Sequence, residues 1–286
     1  MLFPPEPNFE YDVRKLVTYY EDAVEKLLLE LERIDLTKYQ RAQTLATLSS
    51  ITEILKELND KSIEWTETYI PKATTLGIAY TLVALDLASS IAEAEAVVKF
   101  NRINKNLVQA AVADTQADLL AVTTNVEKKV RAAVRQVTAE VMRSNLPQGI
   151  NATATLKRDI VAGLRKTLGD SINTGIIDAA GRRWKPTTYV DTLVRTKMME
   201  AHKEATINEA VSRGALYGVI SRHGAKDACR GYEGMIVKLD VSADGNFPYV
   251  GSLPRNEVFH PRCRHVISPF RRIDRLPDDI KRNNGI

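Results

Sequence analysis

"LVQAAVADTQADLLAVTTNVEKKVRAAVRQVTAEVM" occupies residues 107–142, and its periodicity decides the fold class. Val108, Val112, Thr115, Leu119, Val122, Val126, Val130, Val134, Val137 and Val141 recur at a mean spacing of about 3.7 residues, closer to an eleven-residue repeat than to a heptad. One apolar stripe on a cylinder otherwise covered by Gln, Asp, Lys and Arg predicts an amphipathic helix whose supercoil is weak or right-handed. At 1.5 Å per residue it should run for about 50–60 Å. A helix of that length suits an assembly or lateral packing against neighbours. "NLPQGIN", residues 145–151, carries the turn residues that end it.

Working outward, the upstream sequence also reads as helices. Val13, Leu16, Val17, Tyr20, Val24, Leu27, Leu28 and Leu31 follow the i, i+3, i+4 rule between Val13 and Ile34. A second helix is expected from about Thr37 to Leu58, with Leu45, Leu48, Ile51, Leu55 and Leu58 on one side. Pro71 in "YIPKATT" should end or kink what precedes it, and a third helix should then continue to about Val98. Residues 73–92, "ATTLGIAYTLVALDLASSIA", come nearest to a membrane span. Asp86 and the many Thr, Ser and Ala make a buried helix the better reading.

Downstream, Leu156, Ile160, Leu164 and Leu168 predict another helix. The turn-rich "SINTGIIDAAGRRWKPTTYV" follows, and then a helix from about Thr187 to Arg213 that stops at Gly214, a fitting C′ residue. Beyond Gly214 the short β-branched runs "ALYGVIS", "GMIVKL" and "RHVISPF" read as strands. The expected fold class is therefore mainly α: a long-helix N-terminal region followed by a small α+β C-terminal domain. We divide the chain into a helical region (1–150), an α+β domain (151–270) and a basic tail (271–286) that a partner would order.

The 286 residues are 44% hydrophobic and 27% charged, ordinary for a globular protein with a real core. Two cysteines are too few for a disulfide scaffold, and "MLFPPEPNFEYD" lacks the basic start of a signal peptide. The net charge of +4 is unevenly spread. From Gly181 onward there are 19 Lys and Arg against 12 Asp and Glu, and before it 21 against 24. A basic C-terminal third suits nucleic acid or an acidic protein surface, or is simply a solvated face. Arg182, Arg183 and Lys185 gather around Trp184; Arg262, Arg264, Arg271 and Arg272 form a second group. Both can touch phosphates without reading bases.

Chemistry concentrates in "EVFHPRCRH", residues 257–265, which holds one of two cysteines and two of four histidines. Cys229, His260, Cys263 and His265 make a four-ligand set of the kind that closes a structural zinc site, with His223 as an alternative ligand. Paired C-x-x-C knuckles are missing, and a Cys/His cluster without metal is the competing reading. A nucleophilic Cys229 with His260 and Asp227 is a third, but no oxyanion hole or hydrolase signature accompanies it. The H-x-E and P-C-x-x-C pair of zinc deaminases and the G-x-x-x-x-G-K phosphate loop are both absent. No catalytic residue is expected.

Several motifs stand in a fixed order: "AGRRW", Y-x-x-x-L-V-R-T, S-x-H-G-A-x-x-x-C, Y-E-G and H-P-x-C-x-H-x-x-x-P. On these the chain resembles the tailed-phage minor capsid proteins, also called minor head proteins, over roughly residues 104–270; the first 100 residues carry no motif of the kind. Arg195 and Thr196 match the family's Arg-Thr helix start, and His223, Cys229, His260, Cys263 and His265 match its His/Cys positions. Lys197 stands where many relatives have an acid. The resemblance implies a structural, portal-associated component inside the phage head near the portal vertex, present in the host cytoplasm during assembly. Its implied partners are the portal protein, other copies of itself, capsid or scaffold proteins, and packaged double-stranded DNA held non-specifically. Assistance to head assembly or genome delivery would be its role. A metal-dependent, nuclease-like enzyme acting on DNA at the portal is the alternative, and a stand-alone DNA-binding module a third. Within the domain, Arg195 is the expected polar anchor, with Asp227 as its candidate carboxylate partner.

Overall fold

In the computed structural model the residues described are 3–33, 41–145, 162–163, 166–167, 169–170, 176–177 and 181–286. Helix α1 is Glu10–Glu32, α2 Arg41–Ala84, α3 Ile91–Val97 and α4 Arg102–Asn145. Strands β1 (Ile176–Ile177) and β2 (Arg183–Trp184) precede α5 (Pro186–Ser212). Strands β3 (Tyr217–Ile220), β4 (Ile236–Lys238) and β5 (Ile267–Phe270) and a final helix α6 (Asp278–Asn283) complete the order. The fold is mainly α with a small α+β region near the C-terminus, as the periodicities require. The boundary expected at 150/151 and the four leucine and isoleucine positions that define the helix expected around Leu156–Leu168 lie outside the described residues; 162–163, 166–167 and 169–170 are helical. No described helix is long and apolar enough to cross a membrane.

By packing, the chain forms two units. One comprises Asp12–Trp65 and Gln116–Asp191. Its core is a bundle of α1 with the adjoining parts of α2 and α4, built from Val13, Leu16, Leu27, Ile51, Leu55, Leu119, Val126 and Val130, all buried. The valine stripe thus faces inward along its middle stretch. Buried polar tips are satisfied across the helices: the Trp65 indole donates to the Asp12 carbonyl at 2.7 Å, and the Tyr20 hydroxyl lies 3.3 Å from Thr123 Oγ1. In the same unit β1 and β2 pair antiparallel, Ile176 opposite Trp184.

The other unit comprises Met1–Tyr11, Thr66–Thr115 and Thr192–Ile286. Here α2 and α5 come into backbone contact at Gly77. A Cβ on Gly77 would stand 2.2 Å from the His202 carbonyl oxygen, so only glycine fits. Two threonines bridge the crossing: Thr81 Oγ1 donates to the Thr206 carbonyl at 3.1 Å, and Thr206 Oγ1 to the Gly77 carbonyl at 3.2 Å. The sheet is antiparallel in the order β4-β3-β5, and Pro269 sits on an edge strand, where a missing N–H is tolerated. Tyr80 ties α2 to β5 through Ser268 Oγ at 2.8 Å.

Three expectations need correction. Pro71 neither ends α2 nor separates two helices; the helix runs through it. The lost hydrogen bond, worth about 3 kcal/mol, is outweighed by burial of Ile70, Ala73, Ile78, Ala79 and Tyr80 on either side. The expected continuation to Val98 is instead broken after Ala84. Asp86 takes φ 57, its N–H bonds Val83 O and the Leu87 N–H bonds Leu82 O, a Schellman end, and Ser90 then caps α3. Gly214, with φ 74, ends α5 by the same bond pattern. The basic tail, finally, is not an extended segment but packs on the sheet: Leu276 and Ile280 are buried against Val219, Ile236 and Phe270. The Asn284 amide accepts from Ile236 N and donates to Gly234 O, holding α6 to the sheet.

Candidate metal centre

One end of the small sheet gathers all five Cys and His side chains singled out above. The loop leaving β3 carries His223 and enters a 3-10 turn at Ala228–Tyr232 that presents Cys229. Asp227 caps this turn, its Oδ1 accepting the Cys229 N–H at 3.1 Å. Opposite it the chain turns tightly at His260–Cys263, closed by Cys263 N to His260 O at 2.9 Å. Pro261 supplies the fixed φ of the second turn position, and Arg262 takes φ 67 at the third, a conformation costly for a side chain other than glycine. His265 stands just ahead of β5. Paired bonds between Ser221 N and Val266 O, and between Val266 N and Ser221 Oγ, lock it beside the β3 exit.

The donors converge. Cys229 Sγ lies 3.0 Å from His260 Nε2 and 3.6 Å from Cys263 Sγ, and Cys263 Sγ lies 3.3 Å from His265 Nδ1. Cys229, His260 and Cys263 form one group of mutually close donor atoms; His223, Glu233 and His265 form a second. The outer ring nitrogens face oxygen: His260 Nδ1 is 2.9 Å from Pro261 O, and His265 Nε2 is 3.5 Å from Glu233 Oε1. The His223 ring leans on His265 with centroids 4.2 Å apart.

Electrostatics follow from burial. Burial and the Cys263 sulfur alongside push the Cys229 thiol up, away from the thiolate. Burial and the neighbouring His223 ring lower His265. Glu233 is opposed by burial too, yet the backbone N–H groups of Ala225, His223 and Gly224 outweigh it and bring the carboxyl down to about 2. Glu233 is thus a fixed anion at the base of the cluster, accepting from His223 N at 3.0 Å and Ala225 N at 2.9 Å. The cavity beside His260, Cys263 and His265 has a volume near 10 Å³, room for one water at most.

The pairing expected between Arg195 and Asp227 is not formed. Asp227 is used as the cap of the cysteine turn and faces His260 Nε2 at 3.3 Å. Arg195 instead grips Glu10 bidentately at 2.6 and 2.7 Å, fastening the N-terminal segment to α5. Lys197 forms an ion pair with Asp114 on α4. The basic side chains separate by unit. Arg182, Arg183 and Lys185 belong to the helical unit, with Arg182 over the Trp184 ring at 5.3 Å. Arg262, Arg264, Arg271 and Arg272 belong to the other. Arg264 there pairs with Glu6 and Arg272 with Asp274, and Arg271 caps the Arg213 carbonyl at the end of α5.

In the sequence only the Y-E-G motif points to Glu233, which stands at the end of the 3-10 turn that presents Cys229. His202, wholly buried on α5, gave no signal at all.

Long helices, a small antiparallel sheet and a buried Cys/His knot define the architecture. The sequence matches the family model of phage minor capsid protein 2 over residues 16–283, and the chain belongs to that family. The match reaches through the N-terminal helices, where no motif had marked it. No curated protein and no solved structure matches the chain.

Proposed function

We propose that this minor capsid protein is a structural, non-catalytic component that sits inside the head at the portal vertex. There it binds the portal protein and packaged double-stranded DNA, and assists head assembly or genome delivery. Family membership across residues 16–283 carries the reading. Two physical features support it. The stripe itself is buried within the chain, but α4 leaves Ile103 and Leu120 more than half exposed, apolar contact points for other copies or for capsid and scaffold proteins. The excess of Lys and Arg after Gly181 suits a polyanion read by charge alone. The nuclease reading fares worse on chemistry. Both sulfurs of the knot are buried, and the Cys229 thiol is pushed away from the reactive form.

The test is to mix the purified chain with its portal protein and measure the mass and stoichiometry of the product by light scattering after size exclusion, with DNA binding followed against salt. A defined complex with few copies of this chain per portal ring, and weak, salt-sensitive DNA binding, is the expected result. Failure to bind the portal, or metal-dependent DNA hydrolysis lost on changing His260, would overturn it.

A further inference from the structure

We propose that Cys229, Cys263, His260 and His265 hold one structural zinc ion, and that Glu233 is the carboxylate that orients His265 toward it. With Zn–S near 2.3 Å and Zn–N near 2.0–2.1 Å, a tetrahedral site has S···S edges of about 3.8 Å and S···N edges of about 3.5 Å. The separations present, 3.6 Å between sulfurs and 3.0 and 3.3 Å from sulfur to ring nitrogen, lie within roughly half an ångström of those edges. Cys229, His260 and Cys263 already form one mutually close donor group, and His265, which touches it through Cys263 while grouping with His223 and Glu233, would turn its Nδ1 further inward to complete the set.

The surroundings match what a zinc-bound imidazole needs. A ligating ring is usually held by an acceptor at its other nitrogen, which fixes the tautomer and aims the lone pair. His260 has the Pro261 carbonyl in that place, and the buried Nε2 of His265, which has no hydrogen-bond partner among the described residues, stands 3.5 Å from Glu233, itself fixed by the backbone N–H groups of the His223–Ala225 loop. Charge balance agrees. Two thiolates and two neutral imidazoles around Zn²⁺ make a neutral unit, which suits a site where Cys229, Cys263 and His265 are at most 8% exposed. Binding would release two thiol protons. Four protein groups would close the ion's shell and leave no open position, so the site is a clasp between the 221–233 loop and the 257–266 loop.

His223 is excluded as a ligand to this ion. The donors facing it are Glu233 and the second nitrogen of His265, and the Glu233 oxygen is already taken by backbone N–H groups. The proposal stands apart from the portal and DNA reading; either can fail alone.

The experiment uses the full chain, purified under reducing conditions with any histidine tag removed. Expected are one zinc per chain by elemental analysis, two thiols that react only after a chelator is added, and loss of zinc in Cys229→Ser and Cys263→Ser but not in His223→Ala. Should the serine variants fail to fold, cobalt substitution of the wild type decides. Tetrahedral sulfur–nitrogen ligation gives strong visible bands and sulfur-to-metal charge transfer, whereas adventitious cobalt gives neither. A metal-free chain with two freely reactive thiols, a Cys229–Cys263 disulfide, or zinc unaffected by His260→Ala and His265→Ala would each overturn the proposal.

Discussion

Lowering the pH should loosen the α2–α5 crossing through a single buried ring. His202 is wholly buried on α5, edge-on to Tyr80 at 5.4 Å and to Phe9 at 6.4 Å. Burial alone brings its pKa down to about 3. The unfolded chain takes up this proton below about 6.5, the ordinary histidine value, and the folded chain only below about 3. Between those limits the unfolded state holds more protons, so stability falls as pH falls. Going from pH 7 to pH 4 should remove about 3 kcal/mol through this residue alone. His202→Leu, similar in volume and unable to titrate, should lack that component while keeping every contribution from carboxylates. The assay is urea unfolding followed by far-ultraviolet circular dichroism, both proteins at both pH values, with the difference of differences read out. Equal losses in the two proteins, or a His202 ring signal titrating near its ordinary value in the folded state by NMR, would refute the reasoning.

Other outcomes follow from particular contacts. Gly77→Ala should cost about 2–3 kcal/mol in the same urea assay, because its Cβ meets a backbone oxygen that cannot turn aside. Asn284→Ala removes the bonds from the tail to Ile236 N and Gly234 O, about 1–3 kcal/mol locally, and should open the peptide bonds after Lys281 and Arg282 to trypsin while the sheet stays intact. If both basic groups reach DNA, replacing Arg182, Arg183 and Lys185 with alanine should lower the slope of log affinity against log salt by up to about 3. Replacing Arg264 and Arg272, already matched to Glu6 and Asp274, should lower it less.

What could be read in advance divides by the range of the interaction. The stripe of Leu119, Val122, Val126, Val130 and Val134 is a local regularity, and all five are buried. The stop at Gly214 and the three short strands are equally local. Pro71 misled because a proline's cost is local whereas the burial that overrides it comes from distant partners. Leu45 was placed on the apolar face of its helix yet is 57% exposed, with Thr47 buried nearby, since a face is selected by its neighbours and not by its own spacing. At the cluster, the residue types and the short H-P-x-C-x-H spacing brought the sulfurs and rings to notice. Which carboxylate serves which ring depended on loop closure: Asp227 went to a turn cap, Glu233 to His265, and Glu10, 185 positions away, to Arg195.

The way the two packed units share the chain has a temporal consequence. One takes residues 1–11, 66–115 and 192–286, the other 12–65 and 116–191, so neither is a contiguous piece of polypeptide. During synthesis the helical bundle must wait for α4 to leave the ribosome. Glu6 and Glu10 can meet Arg264 and Arg195 only after those distant segments have been made. The sulfur-bearing unit therefore closes only once segments far apart in the chain have all been made. A gene fragment encoding the C-terminal third alone would emerge without the N-terminal segment held by Arg195 and Arg264 and without the α2 segment against which it packs.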